Sequence, residues 1–183
     1  MARSVVSRAV VVREKYYWPD VQLNIWTIVM LATAGVLIGI YATFISIQQR
    51  FRVGIPWLFP FGITVGGLTV LLIFIEIVLI TQRKLLPGVM IIGSFILVVL
   101  YITGIIETGI QLYGDPSDVN GKCQRYVDNN EQFGPSVNTL AWLEQDSICA
   151  QWKATFAFWI VGTAFLLWMM VMAAMVNQNQ YEY

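Results

Sequence analysis

Residues able to do chemistry are few in this chain. It has no histidine and two cysteines among 183 residues. Two carboxylates, Glu76 and Glu107, interrupt otherwise apolar stretches. Surrounded by hydrocarbon, each costs about 2.5 kcal/mol or more, which marks an intramembrane carboxylate as a functional candidate. Both need partners. Lys153 opens the last apolar stretch at a depth matching Glu107, so an ion pair between them is expected. For Glu76 the sequence offers hydrogen bonds from Asn24 or Gln22, or a contact with Arg83. The two carboxylates fall toward opposite rims and cannot share one proton. Thr33, Thr64, Thr69, Ser94 and Thr103 are the remaining polar groups between them, a sparse set for a transport path.

Other chemistry finds no foothold. Without histidine there is no imidazole base for a serine or cysteine nucleophile, and the usual zinc ligands are depleted. No glycine-rich phosphate loop follows a strand pattern. The expectation is a protein that is not an enzyme and carries no cofactor or metal. Cys123 and Cys149 share one polar stretch, and in an oxidising compartment they are expected to form a disulfide. That stretch, residues 113–151, carries Asp115, Asp118, Asp128, Glu131, Glu144 and Asp146 against Lys122 and Arg125, a net charge of −4. Residues 137–143 are expected to form a short surface helix carrying Trp142.

The elements that position these groups follow from composition. Apolar residues make up 57% and charged residues 12%, against about 25% charged in soluble domains. Mean hydropathy is +0.66. A helix needs about 20 apolar residues to cross a bilayer, and four stretches qualify, at about 23–47, 57–80, 88–112 and 152–176. They are too long and too uniformly apolar for barrel strands, which are about 10 residues with strict alternation. The expected fold is an all-α four-helix membrane bundle, residues 22–176, with a disulfide-stapled outer loop. Residues 1–21 form a basic, aromatic arm with Arg3, Arg8, Arg13 and Lys15, suited to an anionic leaflet. Residues 177–183 form a short polar tail. A basic start followed by a stretch of full transmembrane length argues against a cleaved signal peptide. The charges flanking the first span, four before it and two after, place both termini in the cytosol. A plasma or secretory-pathway membrane is expected ahead of the mitochondrial inner membrane. Zero net charge gives no reason to expect nucleic acid.

Small residues mark where helices approach closely. Gly35 and Gly39, Gly62 and Gly66, and Gly162 are expected to serve packing, within the bundle ahead of pairing with another protein.

The segment Cys149-Ala-Gln-Trp-Lys-Ala-Thr-Phe-Ala-Phe-Trp-Ile-Val-Gly resembles the last helix of MARVEL-type tetraspan proteins, especially fungal ones. A cysteine precedes a Lys-Ala step, then small and aromatic residues alternate. The resemblance covers about a quarter of the chain, and only Cys149 and Lys153 map onto the family pattern. It implies lateral organisation of membrane domains or a role in vesicle traffic. The expected function is therefore a non-enzymatic tetraspan that organises lipids or partner proteins, as a homo-oligomer or in a larger complex. An accessory subunit of a transport, biosynthetic or energy-converting complex is the alternative. A small proton or ion channel using Glu76 or Glu107 is the third.

Overall fold

The computed structural model describes residues 18–50, 52, 54–82, 86–114, 119–125 and 137–178, with the side chains of 137–143 excepted. Helix α1 spans Asp20–Arg50, α2 Leu58–Thr81, α3 Pro87–Tyr113, α4 Val119–Cys123 and α5 Val137–Gln178; no strand occurs among the described residues. Four of them, α1, α2, α3 and the Glu144–Gln178 part of α5, are long and apolar enough to cross a membrane. A helix satisfies its own peptide groups, which suits segments as apolar as these. Pro87 stands at the first position of α3, where its missing N–H costs nothing.

Each long helix buries one narrow seam at alternating three- and four-residue steps, the spacing that keeps side chains on one side of a helix. On α2 it reads Leu58, Gly62, Val65, Thr69, Leu72 and Glu76. On α3 it reads Met90, Ser94, Leu97, Tyr101, Gly104, Thr108 and Leu112. On α5 it reads Thr155, Trp159, Gly162, Leu166, Met169, Ala173 and Val176. The seams hold the less apolar residues, and the bulky Phe74, Ile92, Phe95, Ile96 and Val171 point outward.

The helices form a ring in the order α1, α2, α3, α5, each antiparallel to its neighbours. The closest associations are α3 with α5 and α1 with α2. Three of the seam glycines make these approaches possible. A Cβ on Gly62 would run into the ring of Tyr41, and one on Gly162 into the ring of Tyr101. On Gly104 it would lie 2.6 Å from Trp159 Cδ2. Three aromatic rings thus lie against three glycines, across α1/α2 and twice across α3/α5. Gly66 meets Ile38 of α1 in the same way.

The disulfide between Cys123 and Cys149 forms as expected, with Cα atoms 6.0 Å apart, and ties α4 to α5. It stands at one end of the bundle. The first and last described parts of the chain, Trp18 and Gln178, stand at the other, so both lie at the same end. The expected short surface helix at 137–143 is instead the first two turns of α5, continuous with the last apolar segment. No proline or glycine separates Val137 from Cys149, so nothing interrupts the ladder.

Candidate functional site

The most unusual group in the interior is Glu76, fully buried on the α2 seam. Its Oε1 accepts a hydrogen bond from Thr27 Oγ1 at 3.4 Å. Thr27 makes a shorter bond, 2.9 Å, to the Leu23 carbonyl of its own helix. Glu76 Oε2 has no partner among the described residues. Neither expected α1 donor is used: Asn24 and Gln22 point outward and are exposed, and Thr27, one turn further along α1, takes the contact. The reason is phase. Leu23, Trp26 and Met30 define the buried face of α1, and Asn24 lies about 100° around from Leu23. Arg83 lies outside the described residues.

Two more hydroxyls in the interior are buried without a partner, Thr33 Oγ1 and Ser94 Oγ. Further toward the disulfide end the polar groups are bonded, except Gln151 Oε1, which has no partner among the described residues. Thr69 and Tyr101 join hydroxyl to hydroxyl at 3.2 Å. Trp159 Nε1 donates to Tyr41 Oη at 3.0 Å, and Tyr41 Oη stands 3.5 Å from Thr108 Oγ1. Trp26 Nε1 donates to the Phe165 carbonyl at 2.8 Å, tying α1 to α5. A layer of rings then closes that end: Phe44 stacks on Trp152 at 5.3 Å and packs on Phe59 at 5.4 Å.

Other expected residues fall elsewhere. Glu107 is half-buried and Lys153 exposed, and no ion pair joins them. Glu107 sits one step off the α3 seam through Gly104 and Thr108, and Lys153 one step off the α5 seam through Thr155, so the two do not face each other. Gly62, Gly66 and Gly162 serve internal packing as expected. Gly35 and Gly39 do not. Both are exposed, and a Cβ on either would meet nothing within 4 Å. The buried face of α1 carries Met30, Thr33, Leu37 and Tyr41, and the two glycines point the other way. Arg3, Arg8, Arg13 and Lys15 lie outside the described residues.

Sequence reasoning missed Tyr41, Tyr101 and Trp159, which had counted only as aromatics, and Thr27 and Thr108. Their signal was available: within an apolar helix, residues carrying one polar atom recur at seam spacing, as Ser94, Tyr101 and Thr108 do. Among the described residues no group of three or more His, Cys, Asp or Glu side chains could hold a metal ion. An apolar cleft beside the disulfide, lined by Val119, Ile148 and Trp152, carries Lys122 at its edge. Comparison with protein-family models, curated proteins and solved structures finds no match for this chain.

Proposed function

We propose that this chain is a non-enzymatic tetraspan membrane protein that organises its surroundings laterally, pairing with a second copy of itself through the outward face of α1. The supporting observation is how small residues are divided. Where the bundle needs close approach, it uses Gly62, Gly66, Gly104 and Gly162. Yet α1 also carries Ala32, Gly35, Gly39, Ala42 and Ser46 in a straight exposed stripe, at the same alternating spacing. The outward faces of α2 and α3 carry Leu71, Phe74, Ile92, Phe95 and Val99 instead. In lipid, helices associate by close backbone approach rather than by apolar drive, and a small-residue stripe permits it. A face of this kind is also self-complementary about a twofold axis, the commonest oligomer symmetry.

In this reading the four apolar helices span the membrane. The disulfide end faces the oxidising, outer side and both termini lie in the cytosol, with the arm carrying Arg3, Arg8, Arg13 and Lys15 on an anionic leaflet. The membrane is the plasma membrane or one of the secretory pathway. The likeness around Cys149 and Lys153 to MARVEL-type tetraspan proteins supports the same role. The test is counting subunits by photobleaching in native nanodiscs. Wild type is expected as dimers, and Gly35→Leu with Gly39→Leu as monomers with the disulfide intact. Wild-type monomers at every membrane density would refute pairing. Capture with a stoichiometric different chain would instead make this an accessory subunit.

A further inference from the structure

Proteins pair nearly all their buried polar atoms, and each exception calls for an explanation. Among the described residues four buried side-chain atoms lack a partner; Gln151 Oε1 belongs to a half-buried residue near the disulfide, and the three on fully buried residues are Glu76 Oε2 on α2, Ser94 Oγ on α3 and Thr33 Oγ1 on α1. They are not scattered. Glu76 and Thr69 are two turns apart on the α2 seam, about 10 Å of rise. Ser94 is two turns from Tyr101 on the α3 seam, and Thr33 two turns from Tyr41 on α1. From the end where α2 terminates, Glu76 and Ser94 precede the bonded pairs Thr69–Tyr101 and Tyr41–Thr108, and Thr33 stands level with Thr69, since Gly66 on α2 meets Ala34 and Ile38 on α1. Beyond the bonded pairs, Phe44, Phe59 and Trp152 close the interior with rings.

We propose that this segment binds a short chain of water molecules, anchored by Glu76 and continued by Ser94 and Thr33 to the Thr69–Tyr101 hydroxyls. Water is the ligand that satisfies such atoms, since each buried molecule makes two to four hydrogen bonds and can both donate and accept. A hydroxyl and a carboxyl oxygen facing one interior supply those partners. Room comes from the neighbours. Met30, Met90, Met169 and Met172 are fully buried around this segment, and unbranched thioether side chains shift readily. The helices α2 and α3 that carry Glu76 and Ser94 meet far less extensively than α3 and α5 do. The Thr69–Tyr101 and Tyr41–Thr108 pairs and the ring layer beyond them stop the chain on its disulfide side, so it is blind at that end. This inference is independent of pairing through α1.

Radiolytic hydroxyl-radical labelling of the full chain in nanodiscs tests it, because radicals formed from bound water oxidise the side chains beside it. Met30 is three residues from both Thr27 and Thr33, and Met90 four from Ser94, so both report from the same helical face. The expected result is oxidation of Met30 and Met90 in wild type, retained in Glu76→Gln and reduced several-fold in Glu76→Leu with Ser94→Ala. Unlabelled Met30 and Met90 in wild type overturn the proposal without any variant. Equal labelling in a disulfide-intact Glu76→Leu, Ser94→Ala protein overturns it as well. Proton flux across liposomes that disappears in Glu76→Gln would overturn the blind end.

Discussion

Replacing glycine by alanine separates glycines that the bundle uses from those it leaves unused. Gly104 faces Trp159, whose side chain is fully buried and whose Nε1 donates to Tyr41 Oη at 3.0 Å. An alanine Cβ at 104 would lie 2.6 Å from that ring, so the ring must move. It cannot move far without giving up the hydrogen bond. Gly62 presses on Tyr41, the other end of that bond. Overpacking of this kind costs about 1–3 kcal/mol. Alanine's better helix propensity returns about 0.5–1 kcal/mol. The expected net loss is about 1–2 kcal/mol for Gly62→Ala and for Gly104→Ala. The double variant should cost less than the sum, because one Tyr41–Trp159 bond is lost only once. At Gly35 and Gly39 nothing lies within 4 Å, so only the propensity gain remains and stability should be unchanged or slightly raised. Reversible unfolding in mixed micelles by denaturing detergent measures all four. Gly62→Ala and Gly104→Ala both within about 0.5 kcal/mol of wild type would refute the packing argument, as would Gly35→Ala being equally damaging.

Four further outcomes are expected. Glu76→Leu should be neutral or stabilising in the same unfolding assay. The carboxyl's one protein hydrogen bond is long, Thr27 keeps its shorter one to Leu23, and exchanging a buried polar group without close protein partners for an apolar one is often favourable. A cycle of Tyr41→Phe and Trp159→Phe should show coupling of about 0.6–1.7 kcal/mol, the range for hydrogen bonds between membrane helices; none would mean the bond is not formed. Glu107→Gln and Lys153→Met should be additive, with coupling below about 0.5 kcal/mol, since no ion pair joins them. Removing the disulfide through Cys123→Ala with Cys149→Ala should lower stability by about 3 kcal/mol, for a loop of this length. Urea-free thermal unfolding followed by tryptophan emission reads that loss.

Much of the architecture was legible because long apolar runs must satisfy their peptide groups internally. Four long apolar runs leave few alternatives, and the helices α1 to α3 start and stop within a few residues of where the runs do. The disulfide was legible because only two cysteines exist and both share one polar stretch. Orientation of the helices about their own axes was not. In a soluble helix an apolar stripe points inward, but here both faces are apolar, and a glycine pair alone does not say which face is buried. Gly35 and Gly39 point out and Gly62 and Gly66 point in, although the two pairs have the same spacing. What distinguishes them is context: the α2 pair belongs to a seam that also holds Thr69 and Glu76, and the α1 pair stands off the seam of Thr33 and Tyr41. Glu107 and Lys153 stay apart for a related reason: they match in depth along their helices but not in rotation about them. The start of α5 was missed because Glu144 and Asp146 make residues 137–151 look like loop, yet polar residues without a breaker are compatible with a helix that continues beyond its apolar run.

The unbroken length of α5 has a mechanical consequence. Its 42 residues make a rod of about 63 Å, about twice the hydrocarbon thickness it would cross. Roughly 20 Å of that rod precede Trp152. The Cys123–Cys149 bridge couples the base of this stalk to α4, and the same rod carries Trp159 and Gly162, which interlock with α3. With no proline or glycine from Val137 to Gln151 to act as a joint, a sideways load on the projecting tip is delivered as torque to the α3 contact rather than dissipated in a flexible tether.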